Sequence, residues 1–219
     1  MEKIKKNVAL VTGASRGLGY QVSKLLAKKN YHILGLARTI GALETLSDEI
    51  KEQKGTSTMV PICLEKDEQL NSLATMIFER WKKIDVIVHC ASVPAPMSPV
   101  VGLSLNDFEK SIAINARSTV KIIQNFDPLI RSSKLKTFVF LDDNHSGKFM
   151  SSYAASKSAA REIIKNYKEE SQRVGTKVVI FHPKPMPTSL RARFHPGEDR
   201  KKLSSCLSQA KLLILKAQI

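Results

Sequence analysis

No apolar run in this sequence approaches the roughly 20 residues that cross a bilayer. Cysteine is scarce. Cys63, Cys90 and Cys206 form an odd, widely spaced set with no CxxC, which argues against a disulfide framework or a structural zinc site. We read all three as reduced thiols and expect no metal. Aromatic residues make up only 6% of the chain and nowhere interleave with basic residues as a base-stacking platform would. Acidic residues are also few, 20 against 35 lysines and arginines, for a net charge of +15. The lysines are scattered rather than gathered in a tail, so they read as solvated helix faces. No nucleic-acid partner is expected, while an acidic protein partner stays open. The N-terminal MEKIKK is charged and runs straight into a strand-like segment, without a signal peptide's layout. The expected location is cytoplasmic, with no membrane association.

What is present suffices for one core. The 219 residues, 42% hydrophobic and 25% charged, suit a single domain over 1–219. Apolar, β-rich runs at 7–12, 32–37, 58–64, 85–90, 137–141 and 177–182 alternate with helical-period segments at 17–29, 42–54, 67–82, 104–131 and 152–174. The runs are rich in Val, Ile, Leu and Phe without polar alternation, which suits a parallel sheet covered on both faces. Strict alternation of strand and helix predicts an α/β, doubly wound parallel sheet. A region from about 184 to 219 follows the sixth strand and carries one amphipathic helix at about 203–217. Two proline-rich loops, 94–99 and 183–187, follow strands. In an open parallel sheet the ligand crevice lies at those ends.

Between the first strand and helix stands Thr12-Gly13-Ala14-Ser15-Arg16-Gly17-Leu18-Gly19, glycines spaced G-x3-G-x-G. Such a turn lets backbone approach a pyrophosphate, and the following helix offers unpaired N–H groups and the positive end of its dipole. The second strand ends in Leu36-Ala37-Arg38-Thr39, with no carboxylate for a ribose 2′-hydroxyl. Arg38 and Arg16 instead place two guanidinium forks where a 2′-phosphate would sit. This points to NADP(H) in preference to NAD(H).

TGASRGLG at 12–19, Asn115 in IAINA, YAASK at 153–157, and Pro183 with Thr188 after the sixth strand follow one order and spacing. On these motifs the chain resembles the short-chain dehydrogenase/reductase family over about 7–195, and within it the 3-oxoacyl-acyl-carrier-protein reductases. The resemblance implies a Rossmann-like sheet flanked by helices and an NAD(P)-dependent oxidoreductase that reduces a carbonyl to an alcohol. It assigns Tyr153 as proton donor to the substrate oxygen. Lys157, one helical turn on, would bind the nicotinamide ribose and lower the tyrosine pKa from its ordinary value of about 10. Asn115 would hold a relaying water, Thr188 would bind the carboxamide, and Gly13, Ser15, Arg16, Gly17, Leu18 and Gly19 with Arg38, Ala91 and Pro183 would line the cofactor pocket. The usual seventh strand has no counterpart, so six strands are expected, and a homodimer through the fourth and fifth helices.

The family pattern also breaks. Its serine after the fifth strand falls within Leu141-Asp142-Asp143-Asn144-His145-Ser146-Gly147. Strand register puts Asp143 at that place, and counting back from Gly147 puts Asn144 there. Asn144 could donate a hydrogen bond in the serine's stead. An ionised Asp143 could not, and would repel a developing alkoxide. NNAG appears as His89-Cys90-Ala91-Ser92, and the adenine-contacting aspartate as Cys63-Leu64-Glu65. Two readings therefore stand. One is an NADPH-dependent carbonyl reductase, with a 3-oxoacyl thioester on acyl carrier protein attractive because Arg191, Arg193, Arg200, Lys201 and Lys202 cluster near the substrate loop. The other is a non-catalytic NADP-binding or regulatory protein that keeps the fold.

Overall fold

The computed structural model describes residues 6–143 and 146–219. Six strands form one parallel sheet in the order β3-β2-β1-β4-β5-β6. They are β1 (Asn7–Thr12), β2 (Tyr31–Ala37), β3 (Thr56–Pro61), β4 (Val86–His89), β5 (Thr137–Leu141) and β6 (Lys177–Phe181). Helices α1 (Gly17–Lys28), α2 (Ile40–Glu52), α3 (Asp67–Trp81), α4 (Leu105–Ser111), α5 (Ser118–Arg131), α6 (Ser151–Ser171), α7 (Ser189–Phe194) and α8 (Cys206–Ala217) complete the chain. No described helix is long and apolar enough to cross a membrane.

The strand alternation builds two cores at once. Val8 and Leu10 point to a layer that takes Leu70 and Ile77 of α3, Phe126 and Ile130 of α5, and Ile164 of α6. Ala9 and Val11 point to the opposite layer, filled by Val22 and Leu26 of α1, Leu46 and Ile50 of α2, and Leu213 of α8. Strands buried on both faces need apolar residues at every position, which is why β1, β4 and β5 lack a polar stripe. The edge strand β3 is only half-buried and begins two residues earlier than its apolar pattern suggests. Its ladder ends at Pro61, and the Ile62 N–H bonds Ala37 O as the chain turns away.

Two further differences have local causes. Segment 104–131 holds two helices that run on almost continuously, because a π-helical turn at Ile112–Arg117 joins α4 to α5. The last helix starts at Cys206, not near 203. The Ser205 hydroxyl caps it by accepting from Ser208 N–H, and a short turn occupies Arg200–Lys202. Helix α7 lies in a stretch read only as a loop, capped by Thr188 Oγ1 accepting from Arg191 N–H.

The order reverses between β1 and β4, so their carboxyl ends open a crevice at the switch point. The opposite end of the sheet is tied by Asp85, whose side chain is buried. It accepts from Val8 N–H at 2.8 Å, Lys83 Nζ at 2.7 Å and Ser133 Oγ at 2.5 Å. Replacing Asp85 with Ala should orphan these donors and lower the unfolding free energy by roughly 3 kcal/mol. Urea denaturation checks this, and a loss within about 0.5 kcal/mol would contradict it.

Candidate active site

The glycine turn lies over the crevice. Gly13 sits at φ +69°, and a Cβ there would stand 3.0 Å from the backbone of Ala91. A Cβ on Gly19 would stand 2.5 Å from Gly13 O. Only glycine lets the turn, α1 and the end of β4 come this close. From here a cleft of about 490 Å³ runs to the reacting end. Ser15, Arg16, Gly17 and Leu18 line it, Arg38 stands at the end of β2, and Ala91, Pro183 and Thr188 form further walls. Tyr153, Lys157 and Asp143 occupy the other end of the same cleft. Its lining fits an elongated dinucleotide, with cations at one end and the tyrosine–lysine pair at the other. Leu64 and Cys63 reach the cleft, whereas Glu65 takes a hydrogen bond from Cys63 Sγ at 3.3 Å.

A chain of buried polar groups positions the reacting end. Thr119 Oγ1 donates to Asn115 O at 3.0 Å, so it accepts from His89 Nε2 at 3.1 Å. That leaves His89 Nδ1 to accept from Thr12 Oγ1 at 2.7 Å, while Thr12 Oγ1 accepts from Ala91 N–H at 3.1 Å. Burial, then the Lys157 charge, pushes the His89 pKa down to about 3, and the ring stays neutral. With both ring nitrogens engaged, it offers no metal ligand. Among the described residues no group of three His, Cys, Asp or Glu side chains could hold a metal ion. Burial also pushes the Cys90 thiol up to about 12, so it is no ready nucleophile. The three thiols are unpaired.

Asn115 sits in the π-helical turn, where its amide serves structure directly. Its Oδ1 accepts from Val93 N–H at 2.8 Å, and its Nδ2 donates to Val93 O at 3.1 Å and Ser156 Oγ at 2.9 Å. The loop after β4 is thereby clamped to α6. Ser92, which sequence reasoning did not single out, places its Oγ 3.1 Å from Asn115 Oδ1 and 3.4 Å from the Tyr153 hydroxyl.

Asp143 is the decisive neighbour. The Tyr153 hydroxyl donates to Asp143 Oδ2 at 2.6 Å. Lys157 Nζ donates to Leu141 O at 2.8 Å and lies 3.5 Å from Asp143 Oδ1. The expected lowering of the tyrosine pKa is corrected here. Burial first, then the charge of Asp143 and the hydrogen bond to it, pushes Tyr153 well above the usual tyrosine range. Phe194 of α7 packs on the Tyr153 ring at 4.9 Å between centroids, and Met150 and Leu190 complete an apolar wall. Next door, the buried Asp142 is held by Arg161 through two bonds of 2.5 and 3.1 Å. Asn144, the other candidate for the serine's place, lies outside the described residues, as does His145.

The fold and cleft define a dinucleotide-binding α/β protein with a tyrosine–lysine pair at its reacting end. The sequence pattern of the short chain dehydrogenases matches residues 7–199, and the chain belongs to that family. An uncharacterized oxidoreductase of Listeria monocytogenes is 27% identical over 211 residues, covering 94% of this chain and 85% of that one. A metagenomic short-chain oxidoreductase solved in complex with NADP superposes with a TM-score of 0.84 at 20% identity, over 97% of this chain and 90% of that one. A short chain dehydrogenase of Escherichia coli solved with NADPH gives 0.86 at 23% identity, over 96% and 90%. The protein is therefore an oxidoreductase of the nicotinamide-dependent class, with a six-stranded Rossmann-like sheet.

His89 generates a pH prediction. Its folded pKa lies below the unfolded value of about 6.5, so its neutral burial contributes stability in full above pH 6.5. That contribution is lost as pH falls toward about 3, at up to about 1.4 kcal/mol per pH unit. Urea midpoints measured from about pH 7 to about pH 4.5 should fall less steeply for His89→Asn than for the native protein. Parallel slopes would contradict a neutral His89.

Proposed function

We propose that the protein is an NADP(H)-dependent oxidoreductase that moves hydride onto a polar double bond held against Tyr153, Lys157 and Asp143. The observation that carries this reading is the single cleft joining the glycine turn and both arginines to that triad. Arg16 sits at the start of α1 with its Nη1 3.1 Å from Ser189 Oγ, and Arg38 follows β2. Two guanidinium groups suit a 2′-phosphate better than a 2′-hydroxyl. The NADP and NADPH in the solved relatives support the same choice. When bound, the nicotinamide supplies the hydride. Gly13 and Ser15 to Gly19 would hold the phosphates, Lys157 and Thr188 would orient the nicotinamide end, and Ala91 and Pro183 would confine it, all of them lining the cleft.

A carbonyl reduced to an alcohol is the substrate the resemblance implies, with Tyr153 as proton donor and Asn115 and Asn144 as supporting groups. A 3-oxoacyl thioester on an acidic carrier is a finer version of it. Arg193, Arg200, Lys201 and Lys202 support that version, whereas Arg191 donates to Glu198 through Nε and Nη2 at 2.5 and 2.6 Å. A homodimer through α4 and α5 is the assembly the resemblance implies. Unpaired thiols fit a reducing, cytoplasmic setting. The non-catalytic alternative is the weaker reading, because Tyr153 and Lys157 are both buried at the cleft.

Calorimetric titration tests the proposal. NADPH should bind more tightly than NADH, and Arg16→Ala with Arg38→Ala should weaken NADPH by at least about tenfold while barely changing NADH. Equal loss for both nucleotides would refute the phosphate role, and binding of neither would refute the proposal.

A further inference from the structure

Helix α7 runs from the glycine turn to the reacting end. Thr188, just before it, places Cγ2 3.5 Å from where a Cβ on Gly17 would stand. Ser189, its first residue, accepts from Arg16 Nη1 at 3.1 Å. Its last residue, Phe194, packs on the Tyr153 ring. Six helical residues advance about 9 Å, enough to join those two places. Residues four apart share a helix face. Leu190 and Phe194 form one stripe, which packs with Met150 against Tyr153 and anchors the helix. Ser189 and Arg193 form the neighbouring stripe, and both line the cleft. The Arg16 contact marks the side this second stripe faces, which is the glycine turn. Long helical side chains lean back toward the N-terminus of their own helix, so Arg193 reaches toward Ser189 and that turn. Arg191 is engaged by Glu198, whereas among the described residues no carboxylate pairs with Arg193.

We propose that Arg193 is a further cofactor-binding residue, whose guanidinium donates to the diphosphate of the dinucleotide from the α7 side of the cleft. The inference rests on the dinucleotide reading above. The glycine turn meets a diphosphate with backbone N–H groups and the positive end of a helix dipole. A guanidinium adds a full charge and two parallel donors, and such charge-assisted bonds are the stronger kind. Arg38, at the end of β2, and Arg193, on α7, thus serve different phosphates. Arg38 suits the 2′-phosphate, which only NADP(H) carries, and Arg193 the diphosphate, which both nucleotides carry. Because Phe194 follows Arg193 directly, the same contact holds the aromatic wall against Tyr153 when the nucleotide is bound.

The test is calorimetry of the native protein, Arg193→Ala, Arg193→Lys and Arg173→Ala with NADPH, NADH, ADP-ribose and 2′-AMP. Arg193→Ala should weaken NADPH, NADH and ADP-ribose alike, by about tenfold, and leave 2′-AMP, which has no diphosphate, unchanged. Arg193→Lys should recover part of the loss, because it keeps the charge without the fork. Arg173 is exposed just past the end of α6, so Arg173→Ala removes the same charge away from the cleft and should change nothing. Arg193→Gln repeats the comparison should the alanine variant misfold. A loss confined to NADPH and 2′-AMP would make Arg193 a partner of the 2′-phosphate and overturn the proposal. Unchanged binding of all four probes, the result if Arg193 instead meets an anionic group on the substrate, overturns it as well. A native protein that binds neither NADPH nor NADH overturns the proposed function and this inference with it.

Discussion

The Tyr153 hydroxyl donates to Asp143 Oδ2 across 2.6 Å, and the chemistry available at the cleft depends on that contact. A serine in Asp143's place would remove the carboxylate that accepts from the phenol and faces Lys157, so the ammonium would favour phenolate and alkoxide more strongly. Asp143 supplies an opposing charge 3.5 Å from the ammonium. Burial adds to the effect, since an ionised phenol in that position would lack water. The pair YxxxK is thus present with its usual spacing, but its electrostatic surroundings are inverted.

The fold explains why the contact is so well defined. Asp143 follows the buried end of β5, and Tyr153 lies in the first turn of α6, a helix buried against the same sheet. Two clamps fix the partner surfaces. Asp142, adjacent in sequence, is locked to Arg161, and the Asn115 amide joins the loop after β4 to Ser156 of α6. Behind them the buried chain Thr12–His89–Thr119 ties β1, β4 and α5 together. At the far end of the sheet, Asp85 performs the same service for β1, so neither end of the crevice-forming strands can drift.

Much of this was legible in the residues. Apolar runs without polar alternation announced strands covered on both faces, and the glycine turn announced the close approach of β1, α1 and the end of β4 at the cleft. What escaped had physical reasons. The β3 start was shifted because an edge strand is held by its ladder to β2 and not by apolar content. Helix α7 is one short, arginine-rich turn whose only deeply buried apolar residue is Phe194, too little for a periodic signal. Sequence register could name Asp143 as a candidate for the serine's place, yet could not show that its carboxylate meets the tyrosine. Ser92, the Asp142–Arg161 pair and the Phe194 wall join residues distant in sequence, and no local pattern encodes such pairings.

NMR titration of ring-labelled tyrosine tests the central claim most directly, with Tyr153→Phe assigning the resonance among Tyr20, Tyr31, Tyr153 and Tyr167. The account predicts that Tyr153 stays protonated past the ordinary value of about 10, and that Asp143→Ser lowers its titration point. Ionisation at or below about 10 in the native protein, or a titration point unmoved by Asp143→Ser, would contradict it.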